Sequence, residues 1–304
     1  MMGTLEWGGR KRWEDTLVVM LVALVVVKVC AQEDSAVFRT SAFQQTLSVM
    51  WANDHVQTEG NGEIVQLKLD KLSGGGFSSI QKYRFGYISM HLKLVPGDSA
   101  GVVTAYYLTS ETSLRDELDF EFLGNKSGQP YLLQTNMYTK GIGGREQRIR
   151  LWFDPSASFH EYGFLWNTHQ LVFYVDRVPI RVYRHTRATA SMYPSQQPMR
   201  LYSSIWDADE WATRGGQDKI NWDSAPFLSS YKTLNADACE WKDPYPACAS
   251  TTWKHWWDQP RAWKLSLSER KMFRWVNSNY LEYNYCTDYK RYPTPPSECS
   301  VAPW

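Results

Sequence analysis

The chain has no apolar run long enough to cross a bilayer comfortably. Its most apolar stretch, Thr16–Val27 (TLVVMLVALVVV), falls well short of the ~20 residues that a spanning helix needs. It has no charge bias either. Thirty-three Lys plus Arg stand against 32 Asp plus Glu, so the basic excess that marks a nucleic-acid binder is missing. It has no C-x-x-C pair and no histidine beside its later cysteines, which argues against a thiolate metal site. No internal repeat and no low-complexity linker divides it, and helical periodicity is scarce until near the end. With 43% hydrophobic and 21% charged residues, the composition is that of a globular chain and excludes intrinsic disorder or a collagen-like fibre. What is abundant is aromatic surface: 15% of residues, with 15 Trp and 18 Tyr. Such content builds a heavy core or flat platforms for sugars and bases, and composition alone favours the core.

Arg10, Lys11 and Arg12 precede the apolar run, and Val29-Cys30-Ala31 places small residues at −3 and −1. Residues 1–31 therefore read as a secretory signal peptide. A signal anchor is the lesser alternative, raised by Glu14 and Asp15 beside the run. Removing the leader removes Cys30 and leaves Cys239, Cys248, Cys286 and Cys299. An even count in an oxidising compartment implies two disulfides with three possible pairings. Proximity favours Cys239–Cys248 and Cys286–Cys299. All four lie in the last third, so the C-terminal part is stapled and the rest relies on core packing.

The body reads as strands. Val65, Leu67 and Leu69 alternate with polar residues, as do Ile88, Met90, Leu92 and Leu94, the period of half-buried strands. Gly74-Gly75-Gly76 and Pro96-Gly97 read as turns between such runs. Leu171–Val175 and Ile180–Tyr183 flank a hairpin turn, and Leu151–Phe153 and Tyr162–Trp166 read as further short strands. Ser266-x-x-Glu269 resembles a capping box before the helical spacing of Met272, Trp275, Val276 and Asn279. Many short strands without intervening helices predict an all-β antiparallel sandwich.

At the centre stands Asp116-Glu117-Leu118-Asp119-Phe120-Glu121-Phe122-Leu123-Gly124-Asn125. In a strand, Glu117, Asp119 and Glu121 share one face and Leu118, Phe120 and Phe122 the other. A merely solvated face is a poor account, because like charges at i, i+2 and i+4 repel and acids are weak strand formers. A calcium site would need bends and backbone carbonyls that a straight strand does not supply. Catalysis is the stronger reading, and the chemistry that needs paired carboxylates is glycoside hydrolysis or transfer. One glutamate attacks the anomeric carbon; the other protonates the leaving oxygen. Asp119 between them is expected to raise the pKa of a neighbouring glutamate through its charge and to fix the nucleophile.

This strand resembles the hallmark DE-(I/L)-DFEFLGN of the plant xyloglucan endotransglucosylase/hydrolases, in glycoside hydrolase family 16. The likeness continues through Lys93–Tyr107, Leu151–Pro155, Gln197–Ser204, Trp211–Gly216 and Tyr283–Cys286, from about Phe43 to Cys299. It implies a β-jelly-roll catalytic domain over 32–228 with an open cleft and a C-terminal extension over 229–304. Glu117 is implied as nucleophile, Glu121 as acid/base and Asp119 as their assistant. Implied substrate contacts are Gln134, Thr135 and Asn136, then Gly144, Arg145 and Glu146, then Glu210, Trp211 and Gly215, with Arg291 on the acceptor side. Trp206, Trp211 and Trp222 are candidate acceptor platforms. Asn125-Lys126-Ser127 is the only N-x-(S/T) sequon, and the resemblance implies a glycan on Asn125. No metal or other cofactor is implied. The implied partners are a xyloglucan donor and a xyloglucan or oligosaccharide acceptor, for a secreted monomer of the cell wall and apoplast with no membrane contact after leader removal. Three positions depart from the family: Arg115 and Gln134 stand where histidines are usual, and Asp207 where an Asn is usual. They bear on donor and acceptor preference rather than on the glutamates.

Transfer requires acceptor subsites that outcompete water. A xyloglucan-specific endo-hydrolase is thus an alternative, as are a non-catalytic carbohydrate-binding jelly roll and a mixed-linkage glucan or cellulose glucanase. The binding module would lack a glutamate, and both are present. The bulged E-x-D-x-x-E pattern of bacterial glucanases is absent, because Glu121 is four residues from Glu117.

Overall fold

The computed structural model describes residues 43–242 and 246–304; the expected signal peptide, residues 1–31, lies outside them. In chain order the strands begin with β1 (Leu47–Trp51), β2 (Val56–Glu59), β3 (Ile64–Leu69), β4 (Gly75–Lys93) and β5 (Val102–Thr109). They continue with β6 (Glu117–Leu123), β7 (Leu132–Tyr138), β8 (Gln147–Arg150), β9 (His160–Trp166) and β10 (Gln170–Val175). The last are β11 (Val178–Arg184), β12 (Met199–Asp207), β13 (Phe227–Trp241) and β14 (Leu281–Asn284). Among the described residues one long helix, α1 (Leu267–Asn279), follows a complete capping box made by Ser266 and Glu269.

All strand pairs are antiparallel, and β4 belongs to both layers of the sandwich. Its first half pairs with β1 and β12, its second half with β9 and β13. Phe85 (φ 67°) and Gly86 (φ 147°) make the bend between the halves. A Cβ on Gly86 would sit 2.3 Å from that of Ala238, so only glycine lets β13 pass so close. One layer runs β1-β4-β12-β5-β6-β7-β8-β14 and the other β2-β3-β13-β4-β9-β10-β11. Between them lies an aromatic core. Phe120 stands 4.8 Å from Phe164 and 5.3 Å from Phe173, and Phe122 4.6 Å from Tyr162, mostly edge to face. Each such ring contributes about 1.5–3 kcal/mol by burial.

The all-β sandwich, the capping box and the β10–β11 hairpin agree with the sequence reading. The hairpin turns through Asp176 and Arg177, both at positive φ (47° and 63°), as a two-residue primed turn demands. Two expectations are corrected. Gly75 and Gly76 are not turn residues but open β4, where neighbouring side chains lie over the backbone. Leu151–Phe153 is not a strand: β8 ends at Arg150, because Trp152 turns away to pack on Trp275 (5.3 Å) and Tyr280 (5.7 Å). β13 runs without a break across 228/229, pairing with β3 and β4.

The C-terminal segment carries Cys239–Cys248 and Cys286–Cys299, with Cα separations of 5.5 and 5.4 Å. It is also held by charge. The Arg145 Nε donates to Glu298 Oε1 at 2.6 Å, and both residues are buried. Breaking a buried pair from one side strands the other charge. Glu298→Ala should therefore cost about 3–5 kcal/mol in urea unfolding, and adding Arg145→Met should recover part of the loss. A double variant no more stable than Glu298→Ala would show that the pair is not what holds the segment.

Candidate active site

The apolar side of β6 is fully buried in the core, which turns Glu117, Asp119 and Glu121 onto the open face of the first layer. Cross-strand register gives each acid its neighbours. Glu117 lies between Thr109 and Tyr138, Asp119 between Tyr107 and Asn136, and Glu121 between Ala105 and Gln134.

Each acid is compensated differently. Arg115 donates to Glu117 from Nε at 2.8 Å and from Nη2 at 3.3 Å, one bond to each carboxylate oxygen. Its guanidinium also lies 4.9 Å from the centroid of Tyr138, so the departure from the family histidine sets a fixed cation against Glu117. Asp119 has no such partner. Burial, with Glu117 and Glu121 on either side, pushes its carboxyl well above the usual range, which favours its protonated form. Burial also raises Glu121, against the pull of a 2.6 Å hydrogen bond from the Gln134 amide. The Arg148 Nε orients that amide by donating to Gln134 Oε1 at 2.7 Å. The sequence reading assigned the shift of a glutamate to the charge of Asp119. Burial is the larger cause, and Asp119 is itself the group most displaced. The face thus holds one carboxylate gripped by arginine and one carboxyl biased toward its acid form, the two states that nucleophile and proton donor require.

The implied binding residues divide. Gln134 and Asn136 face the cleft. Thr135 points into the core, where the Arg181 Nη1 donates to its hydroxyl at 3.1 Å. Arg145 is buried against Glu298 and the Ile142 and Gly143 carbonyls. It offers no donor to the cleft, although its backbone N–H donates to Asn136 Oδ1 at 3.0 Å. Glu146 accepts from the Arg291 Nη1 at 2.6 Å, and Gly144 accepts at its carbonyl from the Tyr292 hydroxyl at 2.7 Å. Glu210 is exposed, and Trp211 lies 6.0 Å from Trp206. Trp222 instead packs on Phe227. Gly215 lines a cavity of about 430 Å³ with Leu123, Asn125, Arg148, Arg150 and Thr213. The Asn125 Nδ2 donates to the Pro130 carbonyl at 3.0 Å. Arg148 was missed in the sequence; β7–β8 register alone would have found it, since it stands opposite Gln134. Among the described residues no cluster of three or more His, Cys, Asp or Glu is placed to hold a metal, and no helix is long and apolar enough to cross a membrane.

A jelly-roll sandwich with a carboxylate strand across its open sheet defines a class of glycan-cleaving proteins. Residues 43–224 match the model of glycosyl hydrolases family 16, to which this chain belongs, and residues 251–299 match that of the xyloglucan endo-transglycosylase C-terminus. The chain is similar to the probable xyloglucan endotransglucosylase/hydrolase protein 8 of Arabidopsis thaliana, 52% identical over 92% of this chain and 94% of that one. It is also 52% identical to the xyloglucan endotransglucosylase protein 2 of Diospyros kaki, over 82% of this chain and 85% of that one. Among solved structures a Bacillus licheniformis beta-glucanase shares the fold, with a TM-score of 0.52 and 22% identity over 63% of this chain and 91% of that one.

Arg148 draws the Glu121 pKa down both by its own charge and by orienting Gln134. Arg148→Met removes both effects, so the carboxyl should hold its proton to higher pH. NMR titration of Glu121 measures this; a midpoint that stayed or fell would refute the relay.

Proposed function

We propose that this chain is a retaining xyloglucan endotransglucosylase, with Glu117 as nucleophile, Glu121 as acid/base and Asp119 as their assistant. The supporting observation is the pairing, on one strand, of an arginine-held carboxylate with a carboxyl biased by burial toward its protonated form, in a chain about half identical to plant proteins of that name. A Glu117 oxygen attacks the anomeric carbon of a backbone glucosyl unit while its bond to the departing chain breaks. Glu121 gives its proton to the leaving oxygen. The glycosyl ester on Glu117 is then attacked by an acceptor hydroxyl, whose proton passes to Glu121. Two inversions leave the β-configuration intact. Asp119, its carboxyl pushed by burial toward the protonated form, can donate a hydrogen bond to Glu117 and hold its rotamer.

Transfer wins over hydrolysis when the acceptor is bound and oriented before water attacks. The Glu146–Arg291 pair, beside β8 and β14, suits that role, whereas Trp206 on β12 stands on the other side of the catalytic strand. The protein is read as a secreted monomer of the plant cell wall and apoplast, with a polysaccharide donor and acceptor and no cofactor. Asn125 is read as glycosylated: a substituted amide keeps one N–H, which is enough for its bond to Pro130.

Three variants separate the roles. Glu117→Ala should abolish activity on every donor, with azide restoring some of it and giving inverted product. Glu121→Ala should lose polysaccharide donors but still form, and accumulate, the glycosyl-enzyme from activated aryl glycosides. Asp119→Asn should be the mildest. Reversed signatures for the two glutamates would reverse the cleft. Product release from pure xyloglucan that labelled oligosaccharide acceptor does not redirect would make the protein a hydrolase.

A further inference from the structure

Trp51 has no role in the reaction as derived, yet the chain is built irregularly to place it. β1 pairs regularly with β4 through Leu47, Ser48 and Val49, then skips Met50, so that Trp51 rather than Met50 stands opposite Gly76. A bulge of this kind re-aims a side chain to the other face of a sheet. Without it, Trp51 would point toward the core. The next residue, Ala52, sits in the left-handed region (φ 50°, ψ 67°), a conformation that non-glycine residues adopt at a cost and that is found where a neighbouring position is functionally constrained. The indole then lies over Gly76. A Cβ there would meet ring atoms at 2.4 and 2.6 Å, so the ring needs the glycine beneath it. Even so, Trp51 remains 40% exposed.

Register shows where that ring stands. Glu121 pairs with Ala105, Ala105 with Ser204, Ser204 with Gly76, and Gly76 with Trp51. Antiparallel partners put their side chains on the same face, so these residues form one row across the cleft sheet. Four strand spacings of roughly 4.8 Å make the row about 19 Å long, the span of several pyranose rings. Its floor is small, Ala105, Ser204 and Gly76. One bank is the stacked pair Tyr107–Tyr202 (5.4 Å), and Trp206, partner of Val103, stands on the other. The row begins at the candidate acid/base and ends at a flat, half-exposed indole.

We infer that Trp51 is a distal sugar-stacking subsite, a platform for the apolar face of a backbone pyranose at the far end of this trough. The inference rests on the proposed function. It places Trp51 on the donor side, because it lies across β6 from β8 and β14, beside which the Glu146–Arg291 pair stands on the side read as the acceptor's.

The test varies donor length at a fixed labelled acceptor, from a short aryl glycoside through xyloglucan oligosaccharides of increasing backbone length to the polymer. Trp51→Ala should lower kcat/KM by roughly three- to tenfold, the range of an aromatic stacking contact, only for donors long enough to reach it. The short aryl donor should be unaffected. Trp51→Tyr should restore most of the loss and Trp51→Leu little, which keeps the test decisive should the alanine variant fold poorly. An equal fall for all donors, rescue by leucine as good as by tyrosine, or dependence on acceptor length instead would overturn the inference. Wild-type protein inactive on xyloglucan would overturn the proposed function itself. Active wild type with an unchanged donor-length profile in the variants would overturn only the platform.

Discussion

The cleft depends on the docking of Leu118, Phe120 and Phe122 against the second layer. Their rings and methyl groups fix which side of β6 faces inward, and the pleat does the rest. A register slip of one residue would bury three acids and expose three apolar side chains. The aromatic lattice around Phe120 is therefore what orients the carboxylates, although none of its members touches the cleft. Burial on one face supplies the rigidity with which the other can keep like charges close.

Those charges are managed by unequal means. Glu117 meets a guanidinium, Asp119 is pushed toward its protonated form by burial, and Glu121 is balanced between burial and an amide backed by Arg148. Unequal surroundings of this kind are the general means by which two carboxyls on one strand can take different protonation states. Arg115 and Gln134, the two departures from the family pattern nearest the acids, are thus direct partners of the two glutamates rather than passive replacements.

Alternation in Val65–Leu69 and Ile88–Leu94, the β10–β11 turn and the Ser266 cap were legible because each is written in local periodicity or chemistry. The face of β6 was legible for the same reason. What the sequence did not reveal depends on partners distant in the chain. Arg145 looked like a sugar ligand until Glu298, 153 residues later, claimed its guanidinium. Thr135 sat in a motif of cleft residues, yet simple alternation between Gln134 and Asn136 already sends it inward. Gly75 and Gly76 resembled a turn because a strand glycine that yields space to a neighbour's ring is indistinguishable, in sequence, from one that yields φ.

The pairing of Arg145 with Glu298 has a consequence for how the protein is made. Glu298 follows every strand of the sandwich in the chain, so during synthesis the strands emerge, and can pack, before it does. Until then the loop carrying Gly144, Arg145 and Glu146 lacks its counter-ion, and Arg291, which pairs with Glu146, has only just left the exit tunnel. The loop beside the carboxylate strand is thus completed only once Arg291 and Glu298 have joined it, so a nascent chain that has not yet reached them holds its carboxylate strand in place without a finished loop at its side.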